Sequence, residues 1–166
     1  MNLFAACEKV IIGHDNNTSL ISVLEHFTLS GEIAGKLPAN AGLPFKWQVL
    51  VLWKRENELV EPVTYDVKIE LIAPNDDAAL GGDVQFVVSN QHFNFRNVFE
   101  FPIFPVGQQG IHKLNLNYKE SDSENWEQVV NIQLGLFMRL RRWDDESNGG
   151  GDTLLFWKQR SREARS

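Results

Sequence analysis

Apolar and polar residues alternate along most of the first 137 positions of this chain. The period is two residues, which is typical of β-strands and not of helices. In residues 45–54 every second side chain from Phe45 to Trp53 is large and apolar. Residues 63–73 repeat the pattern with charged residues on the opposite face, which is therefore expected to face water. Such segments recur at short spacing between turns rich in Gly, Pro, Asn and Asp, so we predict an all-β, antiparallel β-sandwich of about eight strands.

Turn residues divide these segments at several places. Residues 13–17 are polar and separate two apolar segments, residues 3–12 and 18–28, which predicts a hairpin. The second segment is apolar on both faces, so we expect a strand covered on both sides. Residues 30–44 lack a steady period and are predicted to form a long loop. Gly81 and Gly82 are predicted to close another loop.

The alternation stops after Phe137, where basic and apolar residues give way to an acidic and then glycine-rich stretch. We therefore predict two parts, a β-sandwich domain over residues 1–137 and a tail over residues 138–166. Three consecutive glycines at 149–151 indicate a flexible joint. Asp152 is suited to cap a short helix, so the tail is expected to be flexible or weakly helical.

Charge is distributed unevenly between these two parts. The formal net charge is −6, which disfavours nucleic acid as the main partner because phosphates select a basic surface. Residues 139–166 hold seven Lys or Arg and five Asp or Glu, against nine and seventeen in the rest of the chain. The tail therefore carries about +2 and the body about −8.

The chain has one cysteine, Cys7, in an apolar stretch. A lone cysteine forms no internal disulfide, so we expect a small buried side chain in a reducing compartment, the cytoplasm. No basic segment precedes a long apolar core at the N-terminus, and no stretch approaches the roughly 18 apolar residues of a membrane span. Secretion and membrane insertion are therefore not expected.

Five stretches of this sequence resemble a family of short bacterial proteins of unknown function. They are Cys7-Glu8-Lys9-Val10-Ile11-Ile12, Leu20-Ile21-Ser22-Val23, Pro44-Phe45-Lys46-Trp47, and Phe101-Pro102-Ile103 with Gly107-Gln108-Gln109-Gly110-Ile111. The resemblance covers about residues 2–134. It implies an all-β fold and brings no catalytic residue or cofactor with it.

Residues able to perform catalysis or hold a metal are scattered. The histidines His14, His26, His92 and His112 lack the close spacing that directs two imidazoles at one ion. Asp76, Asp77 and Asp83 lie in predicted loops, but they are too few for the six to eight oxygens around calcium, and turn chemistry is favoured. We predict no catalytic residue, no metal ligand and no cofactor.

Two surface features are candidates for binding. Gln91, His92 and Arg96 lie in a predicted connection that combines amides, rings and a guanidinium. A plain turn with two core phenylalanines is the favoured alternative there. In the tail, Leu154, Leu155, Phe156 and Trp157 precede basic residues that include Arg160. This segment could dock on a partner, add a strand to a sheet edge or fold back on the acidic body, and an extension without function is an equal alternative.

Three functional hypotheses follow. The first is a protein-interaction or accessory binding module. The second is a small-ligand-binding protein or enzyme that uses the 30–44 loop together with the 91–96 connection, and it requires a pocket near both. The third is a structural subunit that self-associates through its sheet edges.

Overall fold

A computed structural model of the chain describes residues 1, 3–30, 36–55, 61–89 and 94–139. Eleven strands and no helix occur in these ranges. The strands are β1 (Leu3–Ile12), β2 (Thr18–Val23), β3 (His26–Ser30), β4 (Gly42–Leu43), β5 (Trp47–Lys54), β6 (Val63–Ile72), β7 (Ala78–Val88), β8 (Asn94–Phe101), β9 (Phe104–Pro105), β10 (Gly110–Glu120) and β11 (Glu127–Arg139).

Two sheets pack face to face. The first sheet has the order β2-β1-β5-β8 and the second has the order β3-β11-β10-β6-β7, while β4 and β9 form a short separate pair. All strand pairs in the described ranges are antiparallel apart from β3 with β11, which is parallel. The predicted all-β sandwich is confirmed.

The core lies between the two sheets and follows the alternation of the sequence. Trp47, Val49 and Val51 of β5 are fully buried, and the matching positions of β6, β10 and β11 face them from the second sheet. These buried side chains are Val67, Ile69, Leu71, Leu114, Leu116, Leu134 and Leu136. Burial of this apolar surface is the main force that holds the two sheets together.

Aromatic side chains mark the two ends of the sandwich. At one end Trp47 stacks on Phe101 with a centroid distance of 4.6 Å. At the other end Trp53, six positions after Trp47 in β5, stacks on Phe95 with a centroid distance of 5.9 Å. A strand rises by about 3.3 Å per residue, so these ends are roughly 20 Å apart.

The segment 18–28 is not one strand, and this corrects the sequence prediction. The chain turns at Leu24 and Glu25, so β2 belongs to the first sheet and β3 to the second. Ser22 adopts a φ of 50° at this point. Strand β2 lies at an edge with Val23 56% exposed, so the expectation of cover on both sides was wrong.

Two predicted loops contain strands. Gly81 and Gly82 do not form a turn but lie inside β7, where they pair with Glu70 and Ile69 of β6. Within residues 30–44, β4 pairs with β9. Both corrections have the same physical reason, since glycine-rich backbone becomes extended when a neighbouring strand supplies its hydrogen bonds.

The hairpin of β1 and β2 folds back over the outer face of the first sheet. Arg96 of β8 donates hydrogen bonds to the carbonyl oxygen of Asn16 at 3.0 Å and to Oγ1 of Thr18 at 2.9 Å. Arg96 lies opposite Leu52, which pairs with Leu3 at the start of β1. A straight hairpin would place its tip roughly 30 Å away, so the hairpin must bend back.

The folded hairpin covers part of the outer face of the first sheet, which would otherwise be exposed to solvent. Leu50 points away from the core between the sheets, yet it is completely buried. The backbone N–H of Val10 donates to Oε1 of Gln48 at 2.7 Å and fixes the hairpin against β5. The hairpin therefore acts as a partial third layer.

Candidate functional site

A groove separates the free edges of the two sheets. It runs between β7 of the second sheet and β8 of the first, and its volume is about 510 Å³. Residues 80–84 form one wall, and residues 97–103 form the other. We call this feature the edge groove.

Both walls of the edge groove carry unpaired backbone. Among the described strands, β7 pairs only with β6 and β8 pairs only with β5. Each strand therefore presents a row of N–H and C=O groups on its open side, which is the surface to which another strand can add. The two edges border the same groove.

The floor of the edge groove is apolar and open at one position. Gly82 pairs with buried Ile69 and therefore faces the interior. A Cβ at Gly82 would meet Cγ2 of Ile69 at 3.8 Å and Cδ1 of Phe99 at 3.9 Å, which are ordinary contacts. The absent side chain leaves room between β7 and the half-buried ring of Phe99.

The rim of the edge groove is acidic. Its lining residues include the carboxylates of Asp83 and Glu100 and contain no Lys or Arg. Lys46 outside the groove approaches Glu100 at 2.8 Å, and Gln48 donates to the same carboxylate at 3.0 Å. The hydrogen bond from Lys46, assisted by Gln48, lowers the pKa of Glu100. Glu100 therefore stays ionised at neutral pH, with the ammonium group of Lys46 as its counter-charge.

A second cavity lies between the sheets at the Trp53 end. It has a volume of about 210 Å³ and is lined mainly by aromatic rings, those of Trp53, Tyr65, Phe86, Phe95 and Tyr118. The hydroxyl of Tyr118 donates to Oε2 of Glu127 at 2.9 Å, and this bond raises the pKa of Tyr118. Burial raises the pKa of Tyr65. We call this cavity the aromatic pocket.

The predicted ligand residue Arg96 lies outside both cavities. Its neighbour Phe95 lines the aromatic pocket, whereas the side chain of Arg96 is on the opposite face of β8 and binds Asn16 and Thr18. Arg96 therefore holds the folded hairpin in place. Gln91 and His92 lie outside the described residues, so their role stays a prediction.

The two loops of the small-ligand hypothesis are not brought together where the structure describes them. Residues 36–44 lie at the Trp47 end, where Leu43 pairs with Phe104. Asn94 pairs with Lys54 at the opposite end of β5. The predicted partner-binding residues Leu154, Leu155, Phe156, Trp157 and Arg160 lie outside the described residues.

Two potentially reactive side chains are enclosed by protein. Cys7 is completely buried, as predicted, and burial raises the pKa of its thiol. A thiol of this kind is a poor nucleophile because the thiolate is the reactive form. His112 is also completely buried on the inner face of β10, beside Phe104. Neither cavity wall includes Cys7 or His112.

The carboxylates that sequence reasoning weighed for calcium do not form one cluster. Asp76 makes an ion pair with Lys113 at 3.0 Å, and Asp83 lies on the rim of the edge groove. Within the described ranges, no group of three or more His, Cys, Asp or Glu is placed to hold a metal ion. The same ranges contain no helix that is long and apolar enough to cross a membrane.

Sequence reasoning missed the edge groove. The signal was present in Gly81 and Gly82, because glycine inside a strand often marks a place where another backbone or ligand approaches. Because Gly81 and Gly82 were predicted to form a turn, they were not considered as strand residues beside a binding site. The position of β7 and β8 at sheet edges depends on long-range pairing, which the sequence pattern does not encode locally.

Comparisons with known proteins do not identify a family. No protein-family description matches the chain, and no curated protein does, so the resemblance of residues 2–134 to a bacterial family stays a prediction. A solved structure, described as the N-terminal domain of PorA, aligns with 82% of this chain and 98% of its own at 5% identity. The TM-score is 0.27, which is too low to support an argument about fold or function.

Proposed function

We propose that this protein is an interaction module whose edge groove binds an extended polypeptide segment with alternating apolar and basic residues. One observation carries the proposal, namely that two strand edges without a partner among the described strands border one groove with an apolar floor. A bound segment would extend the second sheet by hydrogen bonding to β7 and would place alternate side chains on the floor.

The chemistry of the partner follows from the walls of the groove. Apolar side chains are required because Val84 and Phe99 form part of the floor. Basic side chains would complement Asp83, which makes no ion pair within the described residues, whereas Glu100 already has Lys46 as its counter-charge. Buried Cys7 supports action in a reducing compartment such as the cytoplasm.

The test uses the full chain and a fluorescent ten-residue peptide of alternating leucine and arginine. A Gly82→Val side chain points into the groove, since Gly82 shares a face with Ile69, and we expect it to weaken binding at least tenfold, about 1.4 kcal/mol. Ala78→Val is the control because Ala78 lies in the same strand, is exposed and does not line the groove. Fluorescence anisotropy gives the dissociation constants.

Two results would contradict this function. One is equal affinity of Gly82→Val and Ala78→Val for the peptide. The other is equal binding of a peptide in which glutamate replaces arginine, since the acidic rim should repel it. Circular dichroism of both variants verifies that each retains its sheet structure.

The aromatic pocket supports a second candidate function, the binding of a small planar ligand. Five rings surround its space of about 210 Å³, and Lys54 and Arg55 are among its lining residues. Aromatic walls with cations nearby suit an aromatic carboxylate. Titration with indole-3-acetate should shift the NMR signal of the Trp53 indole N–H, which donates to Oδ1 of Asn97. A signal that does not move at millimolar ligand would eliminate this ligand class.

A further inference from the structure

We infer that the chain's own segment from Leu154 to Arg160 occupies the edge groove of the same molecule and thereby competes with outside partners. The inference rests on the proposed function of the groove. It assigns a particular occupant and makes the tail an autoinhibitory element.

The composition of this segment matches the chemistry of the groove. Leu154, Leu155, Phe156 and Trp157 are apolar, and Lys158 and Arg160 follow them directly. The floor needs apolar side chains, and the rim presents Asp83 and Glu100. Residues 139–166 carry a net charge of about +2, and the rest of the chain carries about −8. Long-range electrostatic attraction therefore also favours binding of the tail to the body.

The distance from the end of β11 to the edge groove is short enough. From β11 to β7 are three strand spacings in the second sheet, about 15 Å. Through Ile69 and Leu116, Gly82 lies in line with Val130, nine residues before Arg139, so the path adds roughly 30 Å along the strands. Fourteen residues separate Arg139 from Leu154, and they can extend over about 50 Å.

The test compares the wild-type chain with a tail variant that carries Leu154→Ser, Leu155→Ser, Phe156→Ser and Trp157→Ser. The probe is the fluorescent leucine–arginine peptide used above. We expect the tail variant to bind it at least tenfold more tightly than wild type, and we expect Gly82→Val to abolish this gain. Gly149→Ser, Gly150→Ser and Gly151→Ser in the same tail form the control variant, which should bind like wild type.

Hydrogen–deuterium exchange without peptide supplies a direct readout. Residues 80–84 should exchange more slowly in wild type than in the tail variant, because an added strand hydrogen-bonds the open edge of β7. The protection should not depend on protein concentration, and light scattering should report a monomer.

The outcomes separate this inference from the proposed function. Equal peptide affinity of wild type and tail variant, with both weakened by Gly82→Val, would overturn the tail assignment and leave the groove as a binding site. If Gly82→Val does not weaken peptide binding, or if no variant binds the peptide, both the tail assignment and the proposed function of the groove would be overturned. Protection that grows with concentration together with a doubled mass would assign the groove to the tail of a second copy and refute occupation within one molecule.

Discussion

The imidazole of His112 lies on the inner face of β10 in line with Leu114 and Leu116, where apolar side chains surround it. Neither ring nitrogen has a hydrogen-bond partner in the described part of the chain. Burial lowers the pKa of His112, and the backbone of Gly110 opposes this shift only in part. The ring is therefore neutral in the folded protein at neutral pH.

We predict that His112 makes the protein less stable in mild acid. The unfolded chain binds a proton at this residue below about pH 6.5, whereas the folded chain resists protonation, so the free energy of unfolding falls as the pH drops below that value. Urea unfolding at pH 7.5 and 5.5 should show a loss that His112→Leu reduces by about 1 kcal/mol. An identical loss in wild type and variant would refute the prediction.

Individual residues differ in how well the sequence predicts their role. The burial of Trp47, Val49 and Val51 follows from their alternation alone. The role of Arg96 could not be predicted because its partners Asn16 and Thr18 are about 80 positions away. Charged side chains at strand surfaces look alike in sequence whether they bind ligands or the protein's own backbone.

Among the connections between elements, the contact of β9 with the preceding loop is the tightest. Gly107 follows β9, and its N–H donates to the carbonyl oxygen of Ala41 at 3.2 Å. A Cβ at Gly107 would lie 2.1 Å from the carbonyl oxygen of Ala39. Both neighbours are backbone atoms, which cannot rotate away as a side chain can.

Gly107→Ala should therefore destabilise the fold by about 2 kcal/mol, because the two segments must separate to admit a methyl group. Gly42→Ala in β4 is the matched control, since its new methyl would meet Cδ1 of Ile103 at 3.5 Å, an ordinary contact. It should change stability by less than about 0.5 kcal/mol. Thermal unfolding of both variants would contradict the argument if their midpoints were equal.

The presence of a strand was easier to predict than the residues at which it begins and ends. The alternation of residues 63–73 gave β6 almost to the residue. The break between β2 and β3 was missed because the apolar residues around Leu24 continue the period without interruption. When the chain passes from one sheet to the other and both sheets have an apolar inner face, the alternation of apolar and polar residues does not show where the passage occurs.

At the scale of the whole molecule, the separation of charge is the property with the most direct consequence. In the proposed arrangement, the rim carboxylate of Asp83 would attract the basic residues after Trp157 through solvent. Salt screens such attraction, since the distance over which charges act falls from roughly 10 Å at 0.1 M to 3 Å at 1 M.

Raising sodium chloride from 0.1 M to 1 M should therefore increase hydrogen exchange at residues 80–84 in the wild-type chain. The same change should have little effect on exchange at residues 49–51, which lie in the fully buried centre of β5 and report on global stability. If salt left residues 80–84 unchanged, charge would have no part in covering the edge groove.

The parallel pairing of β3 with β11 also bears on how the protein is made. His26 lies beside Gly135 and Ser30 beside Arg139, so β3 has no neighbour in its sheet until nearly all of the domain has left the ribosome. The hairpins β6–β7 and β10–β11 need only nearby residues and can form early. During synthesis Phe27 and Leu29 therefore stay exposed until β11 has been made. Because exposed apolar residues promote aggregation, we expect the first thirty residues to bind a chaperone that shields nascent chains.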